Sequence, residues 1–208
     1  RLIAGSAARH RPAHRAVYDA LRSGQLGAPG LVRIHRWLPT GNGSLVELLQ
    51  ADVDLTCWLV GSRPTVVYAR GCNVPSSTFC WDYVQLHLGF VGEAMALLDV
   101  SRQLPDGDDY YALSVIGSAG AAYADDHRDR QLLFAGGHPQ ALRTEQGDRE
   151  RLAQLEYFLA LIADPSAYAA EVLAARRTLD VLAAVAESLT VDRAVHLTAE
   201  GDAAEIIR

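Results

Sequence analysis

No lysine occurs in these 208 residues; all 19 basic side chains are arginine. That absence excludes Schiff-base chemistry, a lysine general acid and a Walker-type phosphate lysine. Cysteine is scarce and odd in number. Cys57, Cys72 and Cys80 match no CxxC metal spacing and read as reduced, partly buried thiols of a cytoplasmic protein. No run approaches about 18 uncharged apolar residues, so no membrane span or membrane partner is expected. An excess of positive charge is also missing: 19 basic against 25 acidic residues give −6, which argues against a nucleic-acid partner. Arg1 stands where a methionine would start the chain and no leader with a cleavage site is visible, which fits a fragment or a trimmed start. What is present, 50% hydrophobic and 21% charged residues, describes a globular chain able to build a substantial core.

The pattern along the chain is mixed. Leu2–Ala7 is a small-residue apolar run of the kind seen in a covered parallel strand. Pro12 opens a helical stretch to about Ser23, closed by Gly24. Leu31–Leu38 alternates as a strand. Residues 44–60 carry Leu45, Leu48, Leu49, Val53, Thr56 and Val60 at helical spacing and stop at Gly61. The period then changes to two, with strands expected at 64–71, 81–90, 93–102, 109–117, 120–124 and 130–135, and a weaker one near 139–144. Leu152, Leu155, Leu159 and Ile162 mark a helix. Val172, Ala175, Leu179, Leu182, Ala186 and Leu189 mark a longer one, and Ala194–Thr198 is a last strand. This order predicts an α+β fold: a large, mostly antiparallel open sheet with helices on one face, after one residual β–α unit.

Several constellations have plain structural explanations. Gly41-Asn-Gly43 precedes a helix, but the third glycine of a dinucleotide loop would fall at Val46. Ser44 and Glu47 fit a helix capping box. His10 and His14 are four apart, yet Pro12 places the helix start between them, so no metal is expected. No G-x-S-x-G elbow exists. The residues alone spell no complete active site.

Five stretches, in order, resemble the C-terminal half of the glucose–fructose oxidoreductase / inositol dehydrogenase / MocA family of NAD(P)-dependent enzymes. They are Arg9-His-Arg-Pro12 with Ser23-Gly-Gln-Leu-Gly27; Gly43–Gly61 with Asp54-Leu55, Trp58-Leu59 and Gly61 in register; Arg63-Pro64-Thr-Val-Val67; Val115-Ile-Gly-Ser-Ala-Gly120; and Ala186–Leu197. The resemblance implies residues 1–27 as a residual Rossmann-like strand and helix and 28–208 as the family's C-terminal domain. It also implies departures. The family's glycine-rich loop and catalytic lysine have no counterpart, its histidine position aligns with Ala51, and its preceding aspartate aligns with Glu47.

The expected function is therefore a substrate-binding and oligomerisation domain, catalytically incomplete or accessory. The alternatives are a fragment of a genuine NAD(P)-dependent sugar or cyclitol dehydrogenase, or a stand-alone small-ligand module. A pocket is expected where the start of helix 44–60 meets strand 31–38. Its candidates are Arg36, Trp37, Asn42, Glu47, Gln50 and Asp54, with Arg9 and His10 adjacent. No cofactor is expected for the chain alone, and NAD or NADP if a Rossmann domain is joined to it. Expected partners are a sugar or polyol, a full-length dehydrogenase, and a second copy. The second copy would pack on the sheet's open face, since strands 81–90 and 93–102 carry apolar residues in both alternation sets, with Tyr83, Met95, Leu97 and Leu98 opposite Val84, Leu86 and Leu88.

Overall fold

The structure, a computed structural model, describes residues 3, 5–40, 45–74, 81–125, 130–134, 140–141 and 149–198. A 3-10 turn, Ala7–His10, leads into α1 (Pro12–Arg22), β1 (Pro29–Pro39) and α2 (Leu45–Val60). Strands β2 (Pro64–Cys72), β3 (Tyr83–Phe90), β4 (Met95–Leu104), β5 (Tyr110–Gly117), β6 (Ala121–Asp125), β7 (Arg130–Phe134) and β8 (Gln140–Ala141) follow. The chain continues through α3 (Arg149–Ala163), α4 (Pro165–Val191) and β9 (Val195–His196). Among the described residues the nine strands form one sheet, ordered β8-β7-β6-β5-β1-β4-β3-β2-β9. Every pairing is antiparallel except β1 with β4. The expected α+β architecture is the observed one. Of the expected opening strand, Ile3, Gly5 and Ser6 carry no regular structure and Ala7 already belongs to the turn; Leu2 and Ala4 lie outside the described residues. Among the described residues that segment has helices beside it and no strand: Gly5 meets Gln154 and Phe158 of α3.

The alternation rule fixes which side of the sheet is covered. Val32 and Ile34 of β1, Leu98 and Val100 of β4, and Val84, Leu86 and Leu88 of β3 are buried beneath the helices. They meet Leu49, Val53 and Leu59 of α2, Val17 and Leu21 of α1, and Val181 and Val185 of α4 in one core. The opposite face shows Arg33, Tyr83, Gln85, His87 and Met95 to solvent. Leu98 thus belongs to the core and not to the open face, because register pairs it with the buried Ile34 and Leu86. The open face is consequently more polar than the sequence pattern suggests.

Two short glycine motifs meet at one joint. Gly27, at φ +69°, lies against the β5–β6 turn, where a Cβ would come within 2.2 Å of the Ser118 hydroxyl. A Cβ on Gly117 would stand 2.1 Å from the Leu26 carbonyl oxygen. Ala28 N–H donates to Ser118 Oγ at 3.0 Å, and Ser118 and Ala119 N–H donate back to Ala28 and Leu26. The passage after α1 is thereby pinned to the sheet. No single helix among the described residues is long and apolar enough to cross a membrane.

The two described cysteines differ, and only Cys57 fits the expected partial burial; Cys80 lies outside the described residues. Burial, with Asp54 nearby, pushes the Cys57 thiol up to about 12, whereas Cys72 is exposed. Thiolate is the reactive form. Brief alkylation of the native protein near pH 8 is expected to label Cys72 and spare Cys57 until the chain unfolds. Equal labelling in intact-protein mass spectra would contradict this.

Candidate functional site

A cleft of about 390 Å³ opens where the first turns of α2 meet β1, the turn before α1, and α4. Glu47, Gln50, Ala51 and Asp54 line it from α2. They recur every three or four residues and so share one helical face. Arg36 enters from β1. Gly5, Ser6 and Arg11 come from the opening segment, and Glu171, Thr178 and Leu179 from α4.

Two buried charge groups hold the walls. The first is centred on Arg9, which is 8% exposed. Its guanidinium donates through Nε to Asp54 Oδ2 at 2.8 Å, through Nη2 to Asp54 Oδ1, and through Nη1 to both Glu171 oxygens at 3.1 and 3.2 Å. Ser6 Oγ also donates to Asp54, and Tyr157 Oη donates to Glu171 at 2.8 Å. Burial works to lower the Arg9 pKa, but its hydrogen bond to Asp54 and the charges of Asp54 and Glu171 raise it on balance. Burial and the bond to Glu171 push Tyr157 up to about 12. The second group is Arg36, whose Nε and Nη2 donate to Asp52 at 2.6 Å each. Asp52 is fully buried, and its fork-to-fork pairing fixes Arg36 over the Tyr111 ring at 4.7 Å.

Of the residues expected at a pocket, Arg36, Glu47, Gln50 and Asp54 line the cleft, and Arg9 lies behind its wall. Trp37 does not. It points to the other face of the sheet, against His35 and Tyr110, because β1 alternates and Arg36 takes the helix side. His10 is outside the lining and leans on Tyr157 at 5.3 Å; burial, with Arg9 and Arg15 nearby, lowers its pKa. Asn42, and with it Ser44 of the capping box, lies outside the described residues. His14 is buried and bonds the Ala8 carbonyl through Nδ1 at 2.7 Å. Glu171, Tyr157, Ser6 and Arg11 join the cleft or its walls without any sequence motif to mark them. A glutamate inside the apolar period of α4 was the one available signal, since a buried carboxylate requires a buried cation.

Residues 14–123 match the family description "GFO/IDH/MocA C-terminal domain". The chain belongs to the GFO/IDH/MocA family. A Bacillus subtilis (strain 168) relative named uncharacterized oxidoreductase YrbE is 29% identical over 133 residues, 58% of this chain and 39% of its own length. A myo-inositol dehydrogenase from Corynebacterium glutamicum superposes with TM-score 0.74 at 22% identity, over 94% of this chain and 64% of that one. An oxidoreductase from Agrobacterium radiobacter, solved with NAD+, L-tartaric acid and magnesium, gives TM-score 0.74 at 17% identity with the same coverage, 94% and 64%. This GFO/IDH/MocA domain therefore spans less than two thirds of each relative. The structural likenesses establish the shared fold.

Proposed function

We propose that this chain is a substrate-binding, self-associating domain of the GFO/IDH/MocA oxidoreductase type, catalytically incomplete or accessory, with residues 28–208 forming that domain and 1–27 a residual Rossmann-like unit. The supporting observation is the cleft around Ala51. Glu47, Gln50 and Arg36 offer acceptors and donors on rigid elements, which suits a ligand whose hydroxyls both donate and accept. A sugar or cyclitol is such a ligand. A myo-inositol dehydrogenase and a complex with L-tartaric acid among the relatives point the same way.

The catalytic part of the proposal is an incompleteness. Ala51 contributes only a methyl group where proton transfer to or from a hydroxyl needs an imidazole or similar base. His10 and His35 do not line the cleft. A pyrophosphate would need a helix N-terminus beyond a parallel strand, across a glycine-rich turn. Here β1 ends at Pro39, Val46 stands where the third glycine would be, and the chain's own residues do not fit a dinucleotide. A fragment of a complete dehydrogenase is the second reading, favoured by coverage of only 64% of the structural neighbours.

A polyol panel is expected to raise the melting temperature. A ligand at a hundred times its Kd contributes about 2.7 kcal/mol, or about 5–10 °C here. NAD(H) and NADP(H) should leave melting and titration calorimetry unchanged. Saturable dinucleotide binding at one site per chain overturns the incompleteness. A panel without any shift overturns the polyol site. Self-association through the open sheet face belongs to the same proposal: exposed Met95, Ile116, Tyr83 and Tyr123 stand there. Light scattering should report at least twice the 22.5 kDa of one chain, and Met95→Glu should lower it.

A further inference from the structure

Arg9 stands between two cavities of opposite character. Its carboxylate partners, Asp54 and Glu171, line the cleft described above, while Arg9 itself lines a second cavity of about 300 Å³. This one lies toward the far end of α2, where Cys57 and Gly61 meet Tyr18 and Arg22 of α1 and Arg177 of α4. Among the described residues three arginines line it and no carboxylate does. The charges of Arg9 and Arg177 both reach the Cys57 thiol, where they work against the effect of its burial.

Arg22 is held in place without a counter-charge. Its guanidinium lies over the Tyr18 ring at 4.9 Å, and Trp58 stacks on that ring with centroids 3.7 Å apart and planes within 5°. A ring stacked so closely fills its own side, so the guanidinium has the other. Gly61, at φ +73°, leaves room for it: a Cβ there would stand 2.5 Å from Arg22 Nη2. The neighbouring Arg15 pairs with Asp19, but Arg22 makes no ion pair among the described residues. Its place in the last turn of α1 suits the helix dipole, which asks for charge and not for a fixed position. A guanidinium already held by an aromatic ring loses little rotamer freedom when it takes a ligand.

We propose that this second cavity binds a phosphate group, free or carried as a monoester, between Arg22 and Arg177. A dianionic phosphate accepts from two guanidinium forks at once, whereas a carboxylate is filled by one. With both faces of Tyr18 taken, that ring offers a base nothing to stack on. The volume is at the lower limit of small-ligand pockets and too small for a dinucleotide. The two cavities share no lining residue, so this site holds or fails independently of the polyol cleft.

The experiment is titration calorimetry of the full chain with inorganic phosphate, methyl phosphate and acetate, at low ionic strength and again at about 0.15 M salt. Phosphate should saturate one site per chain in both buffers, and acetate should bind at least about tenfold more weakly, having one fork's worth of acceptors. Methyl phosphate binding as well as phosphate assigns the monoester; its exclusion assigns the free ion. Arg22→Met and Arg177→Met should each weaken phosphate by about ten- to a hundredfold, the usual loss for a hydrogen bond to a charged group. Arg22→Lys, which keeps the charge but not the fork, should fall between. Arg33→Met removes the same charge from the open sheet face and should change the affinity less than about twofold, a distant surface charge being screened. Arg22 is exposed, so Arg22→Met should melt with the wild type in the absence of phosphate. No saturable site, an adventitious ion only (binding that vanishes at the higher salt), acetate binding as tightly as phosphate, or Arg22→Met binding like the wild type overturns the proposal.

Discussion

Arg9→Met is expected to destabilise the protein by about 3–5 kcal/mol, the usual cost of removing one partner of a buried ion cluster. The substitution keeps the aliphatic stem but strips the shared cation from Asp54 and Glu171, which it bridges with four hydrogen bonds. Two carboxylates would remain with Ser6 and Tyr157 as donors, in a site almost closed to water. For a chain of this size the melting temperature should fall by about 6–20 °C. The background tests the cause: adding Glu171→Gln to Arg9→Met removes one carboxylate charge and should recover part of the loss. Glu171→Gln alone should cost less, because the Arg9–Asp54 pair survives. If the double variant melts no higher than Arg9→Met, charge repulsion is not the origin of the loss.

Acid should weaken the fold through His14 before most carboxylates titrate. Its ring is 3% exposed, packs against Tyr111 at 5.4 Å and donates from Nδ1 to the Ala8 carbonyl. Burial, helped by Arg11 and Arg36 and opposed by that backbone hydrogen bond, lowers its pKa from 6.5 to about 4. The unfolded chain therefore binds a proton that the folded chain refuses. Stability from this group is complete above pH 6.5 and is lost as pH falls toward 4, by about 3 kcal/mol in all. His14→Phe keeps a ring against Tyr111 without a titrating nitrogen. Urea unfolding between pH 7 and pH 4 should show a shallower loss for that variant. Parallel curves for the two proteins would remove His14 from the account.

The helices show where sequence periodicity suffices. In α2 the sequence stripe Leu49, Val53, Thr56 and Val60 is the buried stripe. In α4, Leu189 of the apolar stripe Val172, Ala175, Leu179, Leu182, Ala186 and Leu189 is buried as expected, but most of the buried face, Glu171, Thr178, Val181, Ala184, Val185 and Ser188, is rotated from that stripe by about one residue. A hydrophobic count passes over this face because three of the six are polar. Each is satisfied inside the fold: Glu171 by Arg9, Thr178 by the Ala174 carbonyl, and Ser188 between Ala69 N–H and the Arg193 carbonyl.

By itself the sequence determined the local things. Alternation and helical spacing depend on near neighbours, so β1 to β6, α1, α2 and the positions of the late helices follow from them, as does the ordered set of motifs that marks the family. The side on which Glu47, Gln50 and Asp54 lie is also a local property of one helix. Only the tertiary structure decided which stripe of α4 is buried, that α3 turns its leucines outward, and that Trp37 leaves the cleft while Arg36 enters it. It alone brought Glu171 to Arg9, 162 positions away in the chain. The physical reason is common to all of these. A buried charge is tolerable only beside its counter-charge, and periodicity carries no record of a partner contributed by another element.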